Sequence, residues 1–298
     1  MKRIMLFVLT NLAVMVVLSV SYHVLMAFLG PEVRSALTRD GLDYASLLVF
    51  ALVFGMGGAL ISLALSKPIA KASTGAVTIT GEEGADERWL VETVRDLAGR
   101  AGVGMPEVAL YTGDANAFAT GARRNHALVA VSTGLLQGMD RSQVRAVLGH
   151  ELSHVANGDM VTLTLVQGVL NACVLALSRV VAFAVENAMG DRKRRSGGSA
   201  IYWLVVYVMQ FALGLLATLV VCAYSRRREY AADAGSADLL GSPFPMREAL
   251  LRLEGLGTGK LPSSLKAFGV GGSHASLFAT HPSIEDRVRA LENWTPKA

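Results

Sequence analysis

Four long apolar runs constrain this chain more than any other feature. They are Ile4 to Leu29, Ala45 to Leu65, Met160 to Val185 and Ile201 to Tyr224. Each approaches or exceeds the roughly 20 residues a helix needs to cross the hydrocarbon core of a bilayer. Backbone groups in lipid must be satisfied within the segment, so such runs fold as helices. With 52% hydrophobic and 17% charged residues and a mean hydropathy of +0.42, the chain reads as an integral membrane protein. The first run follows Lys2 and Arg3, but it is longer than the apolar core of a cleavable signal and no small-x-small cleavage site follows it. It therefore reads as a retained anchor.

The net charge of +4 does not point to nucleic acid. Lysine and arginine gather beside the apolar runs, in MKR at 1–3, DRKRR at 191–195 and SRRR at 225–228, as membrane-flanking charges do. No aromatic residues interleave with them. Cys173 and Cys222 both lie within apolar runs and read as small packing residues, not as a disulfide or metal site.

Lys2, Arg3, Lys67 and Lys71 lie outside the ends of the first hairpin, so the positive-inside bias places the N-terminus and everything after Leu65 in the cytoplasm. Residues 72 to 85, ASTGAVTITGEEGA, read as a linker into a soluble portion, followed by a helix over 86–99. Strands are expected at EVALYT (107–112), NAFATG (116–121) and HALVAVS (126–132). Asp140 and Gln143 are spaced as a capping box for the next helix. Beyond the fourth run come a polar helix over 227–240, a break at Pro243 and Pro245, an amphipathic helix over 247–254, and the glycine-rich GVGGSHAS at 269–276. Pro282 and Ser283 start a final helix, with Ser283 and Asp286 spaced as a second capping box.

The helix after Asp140 carries LGHELSHVANGD, residues 148–159. Four residues is about one helical turn, so His150 and His154 project from one face close enough to share a metal. Glu151 can then reach a water on that metal without ligating it. This pattern is a known zinc-peptidase signature: two neutral nitrogen ligands, an open coordination position and a carboxylate base. The pentapeptide is short, and two satisfied histidines on a helix face are the bland reading, so a third ligand is required.

Glu229, Asp233, Asp238, His126, His274 and His281 are the candidates. Glu229 and Asp233, in RREYAADAGSA, share a helix face, which suits a glutamate ligand with an acid one turn later that orients a ligating histidine. The third and fourth apolar runs, folded as a hairpin, return the chain to the same side of the membrane and bring Glu229 back to His150.

The chain resembles the HtpX family of membrane zinc metalloproteases, relatives of the type-I CAAX prenyl proteases. The resemblance rests on NAFATG, HELSHVANGD, the apolar hairpin, SRRREYAADAGSA and THPSIEDRVRAL in that order within one architecture. It implies a single zinc ion held by His150, His154 and Glu229, with Glu151 as catalytic base and Asp233 supporting a ligand. It also implies a quality-control role in the bacterial inner membrane. The expected fold is a mainly α membrane protein: an N-terminal transmembrane hairpin (1–71), then a zincin-like metalloprotease domain with a small β-sheet (72–298), interrupted by the apolar hairpin 160–224 between the metal-binding helices. The expected partners are polypeptide substrates, membrane proteins above all, and the lipid bilayer.

Two further expectations concern the substrate. The uncharged strand Asn116, Ala117, Phe118, Ala119, Thr120, Gly121 can act as a sheet edge to which an extended substrate adds, or it can be a buried or turn-forming strand. His281 is a candidate transition-state stabiliser or inhibitory zinc ligand, with Arg287 following it; the alternative is a histidine satisfied at a helix N-terminus. One conflict stands. Four spans place the loop 186–200 outside, yet it carries Arg192, Lys193, Arg194 and Arg195, and Gln167, Asn171 and Arg179 are costly in lipid unless they face protein or water. The competing functions are a catalytically silent membrane scaffold or chaperone and a processing protease for lipidated peptides.

Overall fold

The computed structural model describes residues 16, 20, 23–24, 38–39, 42–189, 199–256 and 279–296. Val16, Val20, His23 and Val24 are helical; the rest of the first apolar run, the arginines of 192–195, and the stretch 269–276 with His274 lie outside the described residues.

In chain order the elements are β1 (Thr38–Arg39), β2 (Leu42–Asp43), α1 (Tyr44–Ala64), α2 (Ser66–Thr74), β3 (Val77–Ile79), α3 (Ala85–Ala101), β4 (Glu107–Tyr111), β5 (Ala117–Thr120), a 3-10 turn (Arg124–His126), β6 (Leu128–Ser132), α4 (Thr133–Gly138), α5 (Arg141–Asn157), α6 (Asp159–Ala188), α7 (Ala200–Leu240), α8 (Phe244–Gly255) and α9 (Ile284–Glu292). The protein is thus a mainly α membrane protein with a small mixed sheet, and α1, α6 and α7 are long and apolar enough to cross a bilayer.

The described residues form two compact units. The first joins those up to Ser62 with Thr164–Val221. Here glycine sets the spacing of α1 and α6: a Cβ on Gly55 would lie 2.4 Å from the backbone nitrogen of Ala172, so only hydrogen fits. The polar residues that looked costly in lipid are satisfied within protein. Gln167 Nε2 donates to Asn171 Oδ1 at 2.8 Å. Arg179 donates to the Leu175 carbonyl at 2.9 Å and lies over the Phe50 ring at 4.3 Å. Ala182, Tyr202 and Val206 make a buried cluster between α6 and α7.

The second unit comprises Leu63–Leu163 and Cys222–Ala298. Its sheet runs in the order β3-β4-β6-β5, with β4 and β6 parallel and the other pairs antiparallel. Side chains alternate along β6: Val129 and Val131 join the main core with Leu90, Leu97, Leu148 and Leu152, while Leu128 and Ala130 pack on the other side with Ala109 and Ala70. β5 is an edge strand. Asp140 caps α5 through the full box with Gln143, and Ser283 caps α9 by accepting from the Asp286 N–H.

Two local expectations need correction, and one junction is new. The supposed linker 72–85 contains the end of α2 and the strand β3, because Val77 and Ile79 complete the sheet against β4. Between the HELSH helix and the third apolar run, Gly158, at φ 69°, ends α5 in a left-handed cap, and α6 starts afresh at Asp159. Conversely, the polar helix 227–240 is no separate element. It continues the fourth apolar run as one helix of 41 residues, since no proline breaks the chain between Tyr224 and Leu240.

Candidate metal centre and active site

Two helices of the second unit build the site. α5 presents His150 and His154 one turn apart, with their Nε2 atoms 3.1 Å from each other. α7 presents Glu229, whose Oε2 lies 3.6 Å from His150 Nε2 and whose Oε1 lies 3.4 Å from His154 Nε2. Ligand atoms of these three residues all fall within 4.8 Å of one another. The approach is possible because small residues meet where the helices cross. A Cβ on Gly149 would lie 2.9 Å from Ser236 Oγ, and one on Gly235 would lie 2.5 Å from Ser153 Oγ. Ser236 Oγ then donates to the Ala146 carbonyl at 2.7 Å and fixes the crossing.

Each histidine is held from behind. His150 Nδ1 is 2.9 Å from Asp233 Oδ1, and Asp233 in turn accepts from Arg287 Nη2 at 2.6 Å and Nε at 2.8 Å. Arg287, on α9, is 9% exposed and also lies 3.3 Å from Glu229 Oε2. His154 Nδ1 is 2.7 Å from Asp159 Oδ2, and Arg228 pairs with Asp159 Oδ1. Both Nδ1 atoms therefore face carboxylates, which leaves the two Nε2 atoms facing each other and Glu229.

This donor set fits a metal ion. Two imidazole lone pairs at 3.1 Å repel unless a cation lies between them. Metal–nitrogen and metal–oxygen bonds of about 2.0–2.2 Å in a tetrahedron require ligand separations of about 3.3–3.6 Å; here the two Nε2 atoms are 3.1 Å apart, and the Glu229 carboxylate approaches them with Oε1 3.4 Å from His154 and Oε2 3.6 Å from His150. Glu229 is 5% exposed, and its Oε2 has no hydrogen-bonded donor. Burial opposes charge on His154, but its hydrogen bonds to Asp159 and Glu229 prevail and push the ring up to about 10.

Glu151 stands beside the trio, and its Oε2 accepts the Ala119 N–H at 2.9 Å. Burial pushes its carboxyl above the ordinary range, partly countered by His150 and His154. That contact joins the α5 face to the edge strand β5. At the strand's N-terminal end, Asn116 is laced to β6: its N–H donates to Ser132 Oγ and its carbonyl accepts the Ser132 N–H, both at 2.9 Å. Ala117, Phe118, Ala119 and Thr120 are half-buried, and Gly121 is buried at φ 141°, where a side chain would be strained.

The remaining sequence candidates divide. His281 lies at the site, its Nδ1 2.9 Å from Glu229 Oε2 without hydrogen-bond geometry, and its side chain is 65% exposed. Asp238 is instead engaged by Trp294 Nε1 at 3.0 Å, which anchors the chain after α9 to α7. His126 is exposed in the 3-10 turn. Asp159 and Arg228 were not singled out from the sequence. The available signal was an acid five residues after His154, immediately beyond the glycine that ends the helix.

The model of Peptidase family M48 matches residues 84–295. The chain is 53% identical over 294 residues to the Protease HtpX homolog of Paracidovorax citrulli, covering 98% of this chain and 99% of that protein. It is 52% identical over 295 residues, with the same coverage, to the Protease HtpX homolog of Chlorobium phaeobacteroides. The fold is similar to the crystal structure of S. mikatae Ste24p, with a TM-score of 0.60 at 17% identity, over 95% of this chain and 66% of that one. The family match spans α3 to α9, and with it both helices that carry the trio; the chain belongs to Peptidase family M48 and is a membrane metalloprotease.

Proposed function

We propose that this chain is a zinc endopeptidase of the bacterial inner membrane that cuts cytoplasmic segments of membrane proteins, misfolded ones among them. The observation that carries the reading is the convergence of His150, His154 and Glu229, with Glu151 between that trio and the edge strand β5. Two imidazoles and a carboxylate, without thiolate, form a donor set that suits zinc and leaves a coordination position open for catalysis. Zinc bound there supplies Lewis acidity to a peptide carbonyl and to the attacking water.

The protein's own groups do the rest. Glu151 takes the proton of the attacking water on a carboxylate oxygen and passes it to the nitrogen of the departing amine. Asp233 and Asp159 accept from the Nδ1 positions and so keep Nε2 of each ring available. An extended substrate pairs with the outer edge of β5 and displaces Glu151 from the Ala119 N–H, which points away from β6. Such pairing reads backbone and needs no particular side chain, which fits a protease of broad specificity. His281, exposed beside Glu229, in this reading donates to the carbonyl oxygen that gains charge; its Nδ1 lies 2.9 Å from Glu229 Oε2, which supports the role. In this reading residues 1–71 are the anchoring hairpin and 72–298, interrupted by 160–224, the peptidase domain. The flanking Lys2, Arg3, Lys67 and Lys71 support a cytoplasmic active site.

The test is metal content and casein cleavage of detergent-purified protein beside Glu151→Gln and Glu229→Ala. The expected result is near-stoichiometric zinc in wild type and in Glu151→Gln, loss of zinc in Glu229→Ala, and cleavage by wild type alone, with Glu151→Gln down by about 10²–10⁴-fold or more. Retained cleavage in Glu151→Gln would remove it as the base.

A further inference from the structure

His150 and His154 are each held by an aspartate that is itself held by an arginine, and the two arms come from different parts of the chain. The first arm, His150–Asp233–Arg287, joins α5, α7 and α9. We propose that the second, Asp159 with Arg228, is a pair of positioning residues that fixes the ring of His154 for metal binding. This rests on the metal site described above.

The geometry argues against an incidental surface ion pair. Asp159 is buried; its Oδ2 lies 2.7 Å from His154 Nδ1, and its Oδ1 forms an ion pair with Arg228 without hydrogen-bond geometry. A carboxylate that serves only the start of α6 would face solvent and the free N–H groups of the first turn. The chain also spends a special conformation to bring it there. Gly158, in the left-handed region at φ 69°, donates its N–H to the carbonyls of His154 and Val155 and turns the chain so that the next residue returns beneath the His154 ring. Any residue with a Cβ is strained at that φ, so Gly158 and Asp159 act as one device.

Accepting the Nδ1 proton does two things for a metal ligand. It selects the tautomer whose Nε2 carries the lone pair, and it stops the ring rotating about its Cβ–Cγ bond. Arg228 holds the carboxylate in the orientation that does this. Arg228 also precedes Glu229 on α7, so the pair ties the second histidine to the helix that carries the third ligand. Loss of either member should loosen one ligand and leave the His150 arm intact.

The experiment is competition for Zn²⁺ between a chelator and the full-length, detergent-purified protein, with the visible absorption of the Co²⁺-loaded form as a report of ligand geometry. Asp159→Ala is expected to bind zinc about 10–100-fold more weakly and to alter the Co²⁺ bands. Asp159→Asn, which keeps an acceptor for the Nδ1–H, should recover much of both, and Arg228→Gln should fall between it and wild type. Wild-type affinity and wild-type Co²⁺ bands in Asp159→Ala would overturn the proposal. Should Asp159→Ala fail to fold, wild-type affinity and wild-type Co²⁺ bands in Asp159→Ser, whose short hydroxyl cannot reach Nδ1, would overturn it equally. If wild type takes up no metal, the site itself has been misread, and that outcome is distinct from a wild type that binds and variants that bind equally well.

Discussion

The two histidine arms contain the same three residue types, yet they sit in different surroundings. Asp233 and Arg287 have side chains only 2% and 10% exposed and lie within the packed second unit, while Arg228 is 28% exposed and lies at the root of an apolar helix. Burial makes the first arm rigid and intolerant: each charge there depends on its partner, because water cannot replace it. The second arm has partial access to solvent and can relax. One site therefore combines a fixed ligand with a more adjustable one, and the difference follows from where the chain places the arginine.

Breaking the inner arm should have the largest effect. Arg287→Ala leaves Asp233 buried without its cation, and about 3–5 kcal/mol of stability should be lost, read as a lower denaturation midpoint in detergent. A loss similar to that of an exposed arginine would show that the two arms do not differ as described. Next comes the helix crossing that serves both arms. Gly235→Ala drives a methyl group against Ser153, whose Oγ would be 2.5 Å away, and should cost about 1–3 kcal/mol with weaker metal retention, because α5 and α7 must part. The outer arm should respond less, because Arg228 is partly open to water: Arg228→Ala leaves the buried Asp159 oxygen to that water and is expected to cost about 1–2 kcal/mol, although its effect on metal affinity should exceed its effect on stability. The reverse ranking of Arg287 and Arg228 would contradict the comparison.

The smallest effect concerns a charge cluster outside both arms. Hydrogen bonds from Lys67 and then Lys71 hold the Glu107 carboxyl below the usual carboxylate range. Its folded value is depressed, so its stabilisation is present above the unfolded value of about 4.3 and is lost as pH falls through the lower folded value. Glu107→Gln should flatten the acid limb of the stability profile slightly, and added salt should shrink the difference. An acid limb as steep as that of wild type would remove this pair from the account.

Much of this was legible in the sequence, for reasons that differ by element. The three described membrane-length helices followed from length and hydropathy, and the strands β4, β5 and β6 from alternation between turn signals. β3 was hidden because three residues are too few for a periodic pattern and it needs β4 to define it. The continuity of α7 was hidden because the change from apolar to charged residues at Tyr224 looks like a boundary, whereas the helical hydrogen bonds are indifferent to it. At the site, His150 and His154 are set by local helical spacing, and Glu229 by the return of a hairpin. Asp159 and Arg228 meet only through the turn at Gly158 and the docking of α5 on α7, neither of which leaves a pattern in composition.

The measurement that bears most directly on the central claim is X-ray absorption at the zinc edge of metal-loaded Glu151→Gln. The expected spectrum has only nitrogen and oxygen neighbours at about 2.0–2.2 Å, with the outer-shell scattering of two imidazoles. Loss of the zinc-edge signal itself in Glu229→Ala would complete the assignment. Sulfur at about 2.3 Å, or scattering from fewer than two imidazoles, would contradict a metal held by His150, His154 and Glu229.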